Sequence, residues 1–356
     1  MRVLRLLTAA LTAAACIGLL AGYYALRARA YSSLDLVLEG DFPIEADDEI
    51  GFVPVRNGAT LRRHPRTGLA YHLFTSDRRA RVSARGEATP PNIDLMTIGC
   101  SFSWGHGVEN PETYTAVIAR RTGLRVANLA FSAYGTVQAV QMLERNLDLR
   151  PRIVVYGVIQ DHVKRILSGC APAYGPACLP CAWVDFDAAG RPFVHPPDRG
   201  AYAFNRRFWD TFFFRRGSWP RRLAVIIEAD ARRLAGEPAF DKGDPAARQA
   251  ALELLLGRMR ALAKKGGAHL VVVYIPYLER GGTNPAPPAL SAALRSIAGE
   301  GVTILDLAPV VERYYADPAR PRLRFERDAH PNAAGHALIA DELEGTLRRQ
   351  GILPRP

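Results

Sequence analysis

The chain has 356 residues, 48% of them hydrophobic, which is ample for the core of one sizeable domain with appendages. Its formal charge is +11, yet lysine occurs only at 164, 242, 264 and 265, and the arginines are scattered in ones and twos without aromatic interleaving. That pattern argues against a nucleic-acid partner and for a solvated basic surface with some attraction to anionic lipid or polysaccharide.

Arg2 and Arg5 precede an uncharged apolar run from Leu6 to Leu26. At about 20 residues it is long enough to cross a bilayer as a helix, whereas a signal-peptide core is usually about 7–15. Residues 1–30 are therefore expected to form a single-pass inner-membrane anchor, with the rest of the chain in the periplasm or otherwise outside the cytoplasm. Cleavage after Ala28-Arg29-Ala30 and lipid attachment at Cys16 are the two alternatives.

Residues 31–90 mix short apolar pieces with Gly, Pro and many charges, and are expected to form a juxtamembrane segment and a small β-rich cap or edge. From residue 91 strands and helices alternate. The expected strands are Ile93–Ile98, Arg125–Leu129, Ile153–Ile159, His269–Ile275 and Val302–Leu307, with helices at Thr113–Thr122, Thr136–Asn146, Pro245–Lys265, Pro288–Ala298 and Ala333–Gln350. Such alternation implies an α/β domain over residues 91–350, built on a parallel sheet of about five strands. Between 163 and 244 the pattern lapses for longer than an ordinary connection, which marks an insertion over the active site. It holds Cys170, Cys178 and Cys181 and an aromatic, arginine-rich run from Phe204 to Arg216, expected to be a lid with its own small core. Three cysteines fall short of the usual four zinc ligands, so a disulfide from Cys170 to Cys178 or Cys181 is expected, and no metal.

Two stretches carry chemistry. Ser101 follows the apolar run Ile93–Ile98, and the carboxyl end of a strand is where open α/β sheets bind ligands. Near the other end of the chain, Asp328-Ala329-His330-Pro331-Asn332 opens the last amphipathic helix. A carboxylate beside a histidine orients the ring and stabilises its imidazolium form while the other ring nitrogen takes a serine proton. Ser101, His330 and Asp328 are thus a candidate triad.

The resemblance to a known family rests on three blocks in order. Gly99-Cys100-Ser101-Phe102-Ser103-Trp104-Gly105-His106-Gly107-Val108 resembles the first block of SGNH/GDSL hydrolases, Gly-Asp-Ser-Phe-Thr-x-Gly-x-Gly-Val. Asn128-Leu129-Ala130-Phe131-Ser132-Ala133-Tyr134-Gly135-Thr136-Val137-Gln138 resembles their second, Asn-x-Gly-x-x-Gly-Tyr-Gly-Thr-x-Gln. His330-Pro331-Asn332-Ala333-Ala334-Gly335-His336 resembles the final His-Pro-Asn-Ala-x-Gly-His. The likeness covers roughly residues 45–350.

It implies a three-layer α/β/α, flavodoxin-like fold and a serine esterase without cofactor, acting on an acylated carbohydrate or other ester. The same residues serve an O-acyltransferase of a polysaccharide, and the family also admits a non-catalytic polysaccharide-binding member. Its oxyanion hole would combine the N–H groups of Ser101 and Gly135, with Gln160 as a third donor. Trp104, His106 and Asp161 would line the substrate pocket. This sequence departs from the family in three places: Cys100 stands for the usual aspartate, and the acid sits two rather than three residues before His330, with Glu326 as fallback. The third block, usually Gly-x-Asn-Asp, reads Gly157-Val158-Ile159-Gln160-Asp161.

Overall fold

The computed structural model describes residues 2–32, 37–64, 66–172, 178–212, 218–234, 243, 245–281 and 284–353. Its main sheet is built from β1 (Val37–Gly40), β2 (Ala59–Arg63), β3 (Ala70–Thr75), β4 (Arg81–Val82), β5 (Leu95–Gly99), β6 (Val126–Asn128), β7 (Ile153–Val158), β8 (His269–Tyr274) and β9 (Val302–Asp306). Across the sheet the order is β1-β2-β3-β4-β6-β5-β7-β8-β9. The five strands from β6 to β9 are parallel, and their order, second-first-third-fourth-fifth, is that of a flavodoxin-like sheet.

The expected five strands are therefore the parallel part of a larger sheet, of nine strands among the described residues. Residues 37–82 add four antiparallel strands, joined to the parallel part where Arg81 pairs with Asn128. The sequence conceals them because β4 is two residues long and β1 only four, too short for a period of two to show.

Side chains alternate across the parallel strands, and both faces are covered. Met96, Ile98, Val154, Tyr156, Leu270 and Val272 join one core with helices Thr136–Arg145, Pro245–Lys265 and Pro288–Ile297. Leu95, Ile153, Val155, Val271 and Val273 join the other with helices Tyr114–Thr122, Ala308–Tyr315 and Ala333–Arg349. Burial on both faces explains why these strands read as continuous apolar runs.

Between residues 163 and 244 the described residues form two hairpins, Cys170–Pro172 with Cys178–Pro180 and Trp183–Phe186 with Pro192–His195, then helices Arg199–Phe212 and Trp219–Leu234. Phe204, Phe208 and Phe212, spaced one turn apart, are buried as a core stripe. The rest of the aromatic run, residues 213–216 and the side chain of Trp209, lies outside the described residues. Cys170 is disulfide-bonded while Cys181 keeps a free, buried thiol; the remaining candidate partner, Cys178, has its side chain outside the described residues.

The amino-terminal helix Arg2–Ser32 contains a 22-residue stretch, Leu7–Ala28, of mean hydropathy 1.7. Length and composition suffice to cross a membrane, and a secretion signal meets the same criteria. Near its end Arg27 pairs with Asp230 of helix Trp219–Leu234 at 2.9 Å.

Candidate active site

β5 ends in a sharp turn that only glycine fits. Gly99 has φ +144°, and a Cβ there would stand 2.6 Å from the carbonyl oxygen of Gly157 on the adjacent β7. The chain then enters the short helix Ser101–Trp104, closed by the left-handed Gly105. Ser101 is its first residue, so its N–H has no intrahelical acceptor. The turn behind it is braced from two sides. Asn128 Nδ2 donates to Ser103 O at 2.9 Å. The guanidinium of Arg81, itself buried, donates to the carbonyls of Trp104 (2.6 Å), Gly105 and Val108. Cys100 is fully buried, and burial pushes its thiol up, so it does not compete as a thiolate nucleophile.

The base arrives on the loop before the last helix. Asn332 caps that helix, its Oδ1 accepting from Gly335 N at 3.0 Å, while its Nδ2 donates to Arg322 O and Arg324 O. This cap fixes the two preceding residues. His330 Nε2 lies 2.8 Å from Ser101 Oγ, and His330 Nδ1 is hydrogen-bonded to Asp328 Oδ1. The same Oδ1 accepts from the backbone N–H of His330 at 2.9 Å. Burial alone would push the Asp328 carboxyl up, but the His330 hydrogen bonds and charge outweigh it and bring the group down to about 2. Serine, imidazole and carboxylate are thus in hydrogen-bond contact although Ser101 and His330 are 229 residues apart. Glu326 is exposed and paired with Arg322 at 3.4 Å, away from this chain of contacts.

The other sequence-derived residues are distributed differently. Gly135 does not offer a free donor: its N–H is taken by Gln138 Oε1 at 2.9 Å, the cap of helix Thr136–Arg145. The nearby left-handed residue is Ala133, φ +68°, which stands where the second block has a glycine. Its segment lies along the strand end before Ser101, with Leu129 N donating to Thr97 O (2.8 Å) and Phe131 N to Gly99 O (3.1 Å). The Ala133 N–H has no acceptor among the described residues. The missing signal was available in the block itself, where the glycine at this position marks a left-handed turn.

Trp104 is 1% exposed and packs edge-on against Phe131, so it belongs to the core and not to a substrate pocket. His106 is likewise buried, its ring 4.5 Å from that of His330, so it backs the base and does not face substrate. Gln160 and Asp161 follow β7 and meet Tyr277, a residue that sequence reasoning did not single out. Tyr277 OH donates to Asp161 Oδ1 at 3.3 Å. Arg165 ties this group to the second block, with Asp161 Oδ2 at 3.6 Å and Tyr134 O at 2.9 Å. His336 is fully buried, accepting from Tyr114 N at 3.3 Å, and serves packing.

Ring nitrogens of His64, His106 and His330 lie within 4.8 Å of one another, a spacing that metal ligands also show. His330, however, spends both nitrogens on Ser101 and Asp328, and His64 Nδ1 accepts from two backbone N–H groups. The arrangement suits proton transfer from a serine hydroxyl.

No protein-family profile and no curated protein matches the chain. Among solved structures it is similar to the psychrotrophic esterase EstA from Pseudoalteromonas sp., at 11% identity over 72% of this chain and 97% of that one, with a TM-score of 0.36. It is also similar to a protein assigned to the G-D-S-L family of lipolytic proteins from Desulfitobacterium hafniense, at 13% identity over 72% and 100%, with a TM-score of 0.35. A third is the acetyl xylan esterase Est2A from the rumen bacterium Butyrivibrio proteoclasticus, at 12% identity over 74% and 65%, with a TM-score of 0.37. These scores describe a distant likeness.

Proposed function

We propose that the chain is a serine esterase of the SGNH type acting on O-acyl esters. Ser101 Oγ attacks the ester carbonyl as its proton passes to His330 Nε2, and Asp328 stabilises the imidazolium that results. The N–H groups of Ser101 and Ala133 hold the developing oxyanion, with Gln160 as a side-chain donor from the end of β7. Collapse of the tetrahedral intermediate expels the alcohol, which takes the proton back from His330 and leaves an acyl-serine. Water entering by the reverse steps completes hydrolysis.

The observation that carries this reading is the 2.8 Å contact of His330 Nε2 with Ser101 Oγ while Nδ1 is held by Asp328. The intact contact also speaks against a decayed polysaccharide-binding module. Transfer of the acyl group to a sugar hydroxyl would use every residue named, and the blocks' likeness to the SGNH family makes an acylated envelope or secreted carbohydrate the substrate class we favour. In the same reading residues 1–30 tether the 91–350 domain to the inner membrane, outside the cytoplasm, which protease treatment of spheroplasts would test by digesting the domain. Turnover of nitrophenyl acetate by the purified chain, abolished in Ser101→Ala, tests the esterase reading. Acetyl release from an acetylated xylan with and without added sugar acceptor separates hydrolysis from transfer.

A further inference from the structure

A histidine outside the triad faces the catalytic acid. His64 follows β2 at the mouth of the hairpin that leads to β3, in the antiparallel extension of the sheet. Its side chain is completely buried, packed at a tilt between the rings of Phe325 (centroids 4.8 Å apart) and His106 (5.0 Å). Space beside it is closed, since a Cβ on Gly107 would stand 2.5 Å from His64 Cδ2.

The hydrogen bonds settle which ring nitrogen carries the proton. Nδ1 accepts from the backbone N–H groups of Arg66 (3.3 Å) and Thr67 (3.1 Å). A nitrogen that accepts is unprotonated, so in the neutral ring the proton is on Nε2. Burial pushes the ring down to about 4, which keeps it neutral at physiological pH. The Nε2–H is buried without a hydrogen-bond partner and faces Asp328 Oδ2 at 3.9 Å. Both His330 donors fall on the other oxygen, Oδ1. Arg66 Nε also approaches Oδ2, at 3.6 Å, but its side chain is 63% exposed and solvent screens it.

We propose, building on the triad reading above, that His64 is a positioning residue: its Nε2–H holds Oδ2 of Asp328 and so keeps Oδ1 aimed at His330. The 3.9 Å separation closes to a hydrogen bond as the carboxylate draws onto the imidazolium, since such contacts are long in the free enzyme and tighten during turnover. A buried donor left without a partner is costly, and Asp328 removes that cost. The antiparallel extension then has a catalytic purpose, because it delivers a ring that orders the acid through the oxygen the base leaves free.

The test compares two amides. His64→Asn places an oxygen where Nδ1 was, so the Arg66 and Thr67 N–H groups keep an acceptor, but the side chain at 64 no longer reaches Asp328. His64→Gln extends its amide far enough to donate to Oδ2. For nitrophenyl acetate, H64N should lower kcat by about tenfold with KM unchanged, a coupling of the size seen between contacting residues, and H64Q should recover to within about threefold of wild type. In an Asp328→Asn background H64N should cost nothing further. Wild-type kcat in H64N, an equal loss in H64Q, or losses that multiply in the D328N background would overturn the proposal. Should thermal melting show H64N unfolded, His64→Phe, which refills the ring volume without a donor, takes its place in the same cycle. Turnover persisting in Ser101→Ala would sink the esterase reading itself, whereas a dead S101A beside a fully active H64N sinks only the role of His64.

Discussion

Replacing Asp328 with asparagine keeps the shape of the side chain and removes its charge. Although burial disfavours the carboxylate, the hydrogen bonds and charge of His330 bring it to about 2, against an ordinary 3.8. A lowering of about two pH units corresponds to between about 2 and 3 kcal/mol at 1.36 kcal/mol for each unit. If all of it is used to stabilise the imidazolium in the transition state, its loss slows the reaction by about 60-fold. The asparagine can in addition turn its NH₂ toward Nδ1 and impose the wrong tautomer, so the full loss should lie in the range of about 10²–10⁴. Stability should respond as well. The folded-state value lies below the unfolded one, so the contribution of Asp328 is present above about pH 4 and is lost as pH falls toward 2. Denaturant titrations of wild type and D328N should therefore converge across that window. The assay for chemistry is nitrophenyl acetate turnover at neutral pH, with Glu326→Gln as control. D328N within threefold of wild type, or E326Q matching its loss, would refute the assignment of the acid.

Gly135→Ala should leave kcat within about threefold, because the N–H at 135 is taken by Gln138 Oε1, and losses of two to three powers of ten are expected only for true oxyanion donors. Ala133→Gly should keep activity and raise unfolding free energy by up to about 1 kcal/mol, since it relieves a left-handed alanine; denaturant melts read this directly. Arg81→Met should destabilise by at least about 3 kcal/mol, because the carbonyls of Trp104, Gly105 and Val108 lose their buried donor together. Non-reducing peptide mapping should find Cys170 in a disulfide and Cys181 alkylated; Cys181 in the disulfide would contradict the structure.

The central parallel strands β5, β7 and β8 were legible because both their faces are buried, so each reads as an unbroken apolar run. The contact of Ser101, His330 and Asp328 was legible for a related reason: each sits at the end of an element whose boundary is marked by glycine, or by the Pro331-Asn332 cap. What stayed hidden depends on side chains that a linear pattern does not reveal. The acceptor of the Gly135 N–H is a glutamine side chain one turn on, and Trp104 has the look of a pocket aromatic until its burial against Phe131 is seen. Asp328 could be read as a carboxylate at the start of the last helix, but that helix is capped by Asn332, which leaves the acid in the loop with His330. Tyr277 and His64 reach the site from an ordinary loop and from the short hairpin, where no local periodicity points at chemistry.

The central claim is that Ser101 is an activated nucleophile. A fluorophosphonate probe needs an activated serine and an oxyanion site but no particular substrate, so it separates a working triad from a binding module without knowledge of the acyl group. Mass spectrometry of the labelled chain should find the adduct on Ser101 in wild type, and none in Ser101→Ala or His330→Ala. Labelling that survives His330→Ala, or that falls on another serine, would contradict the account.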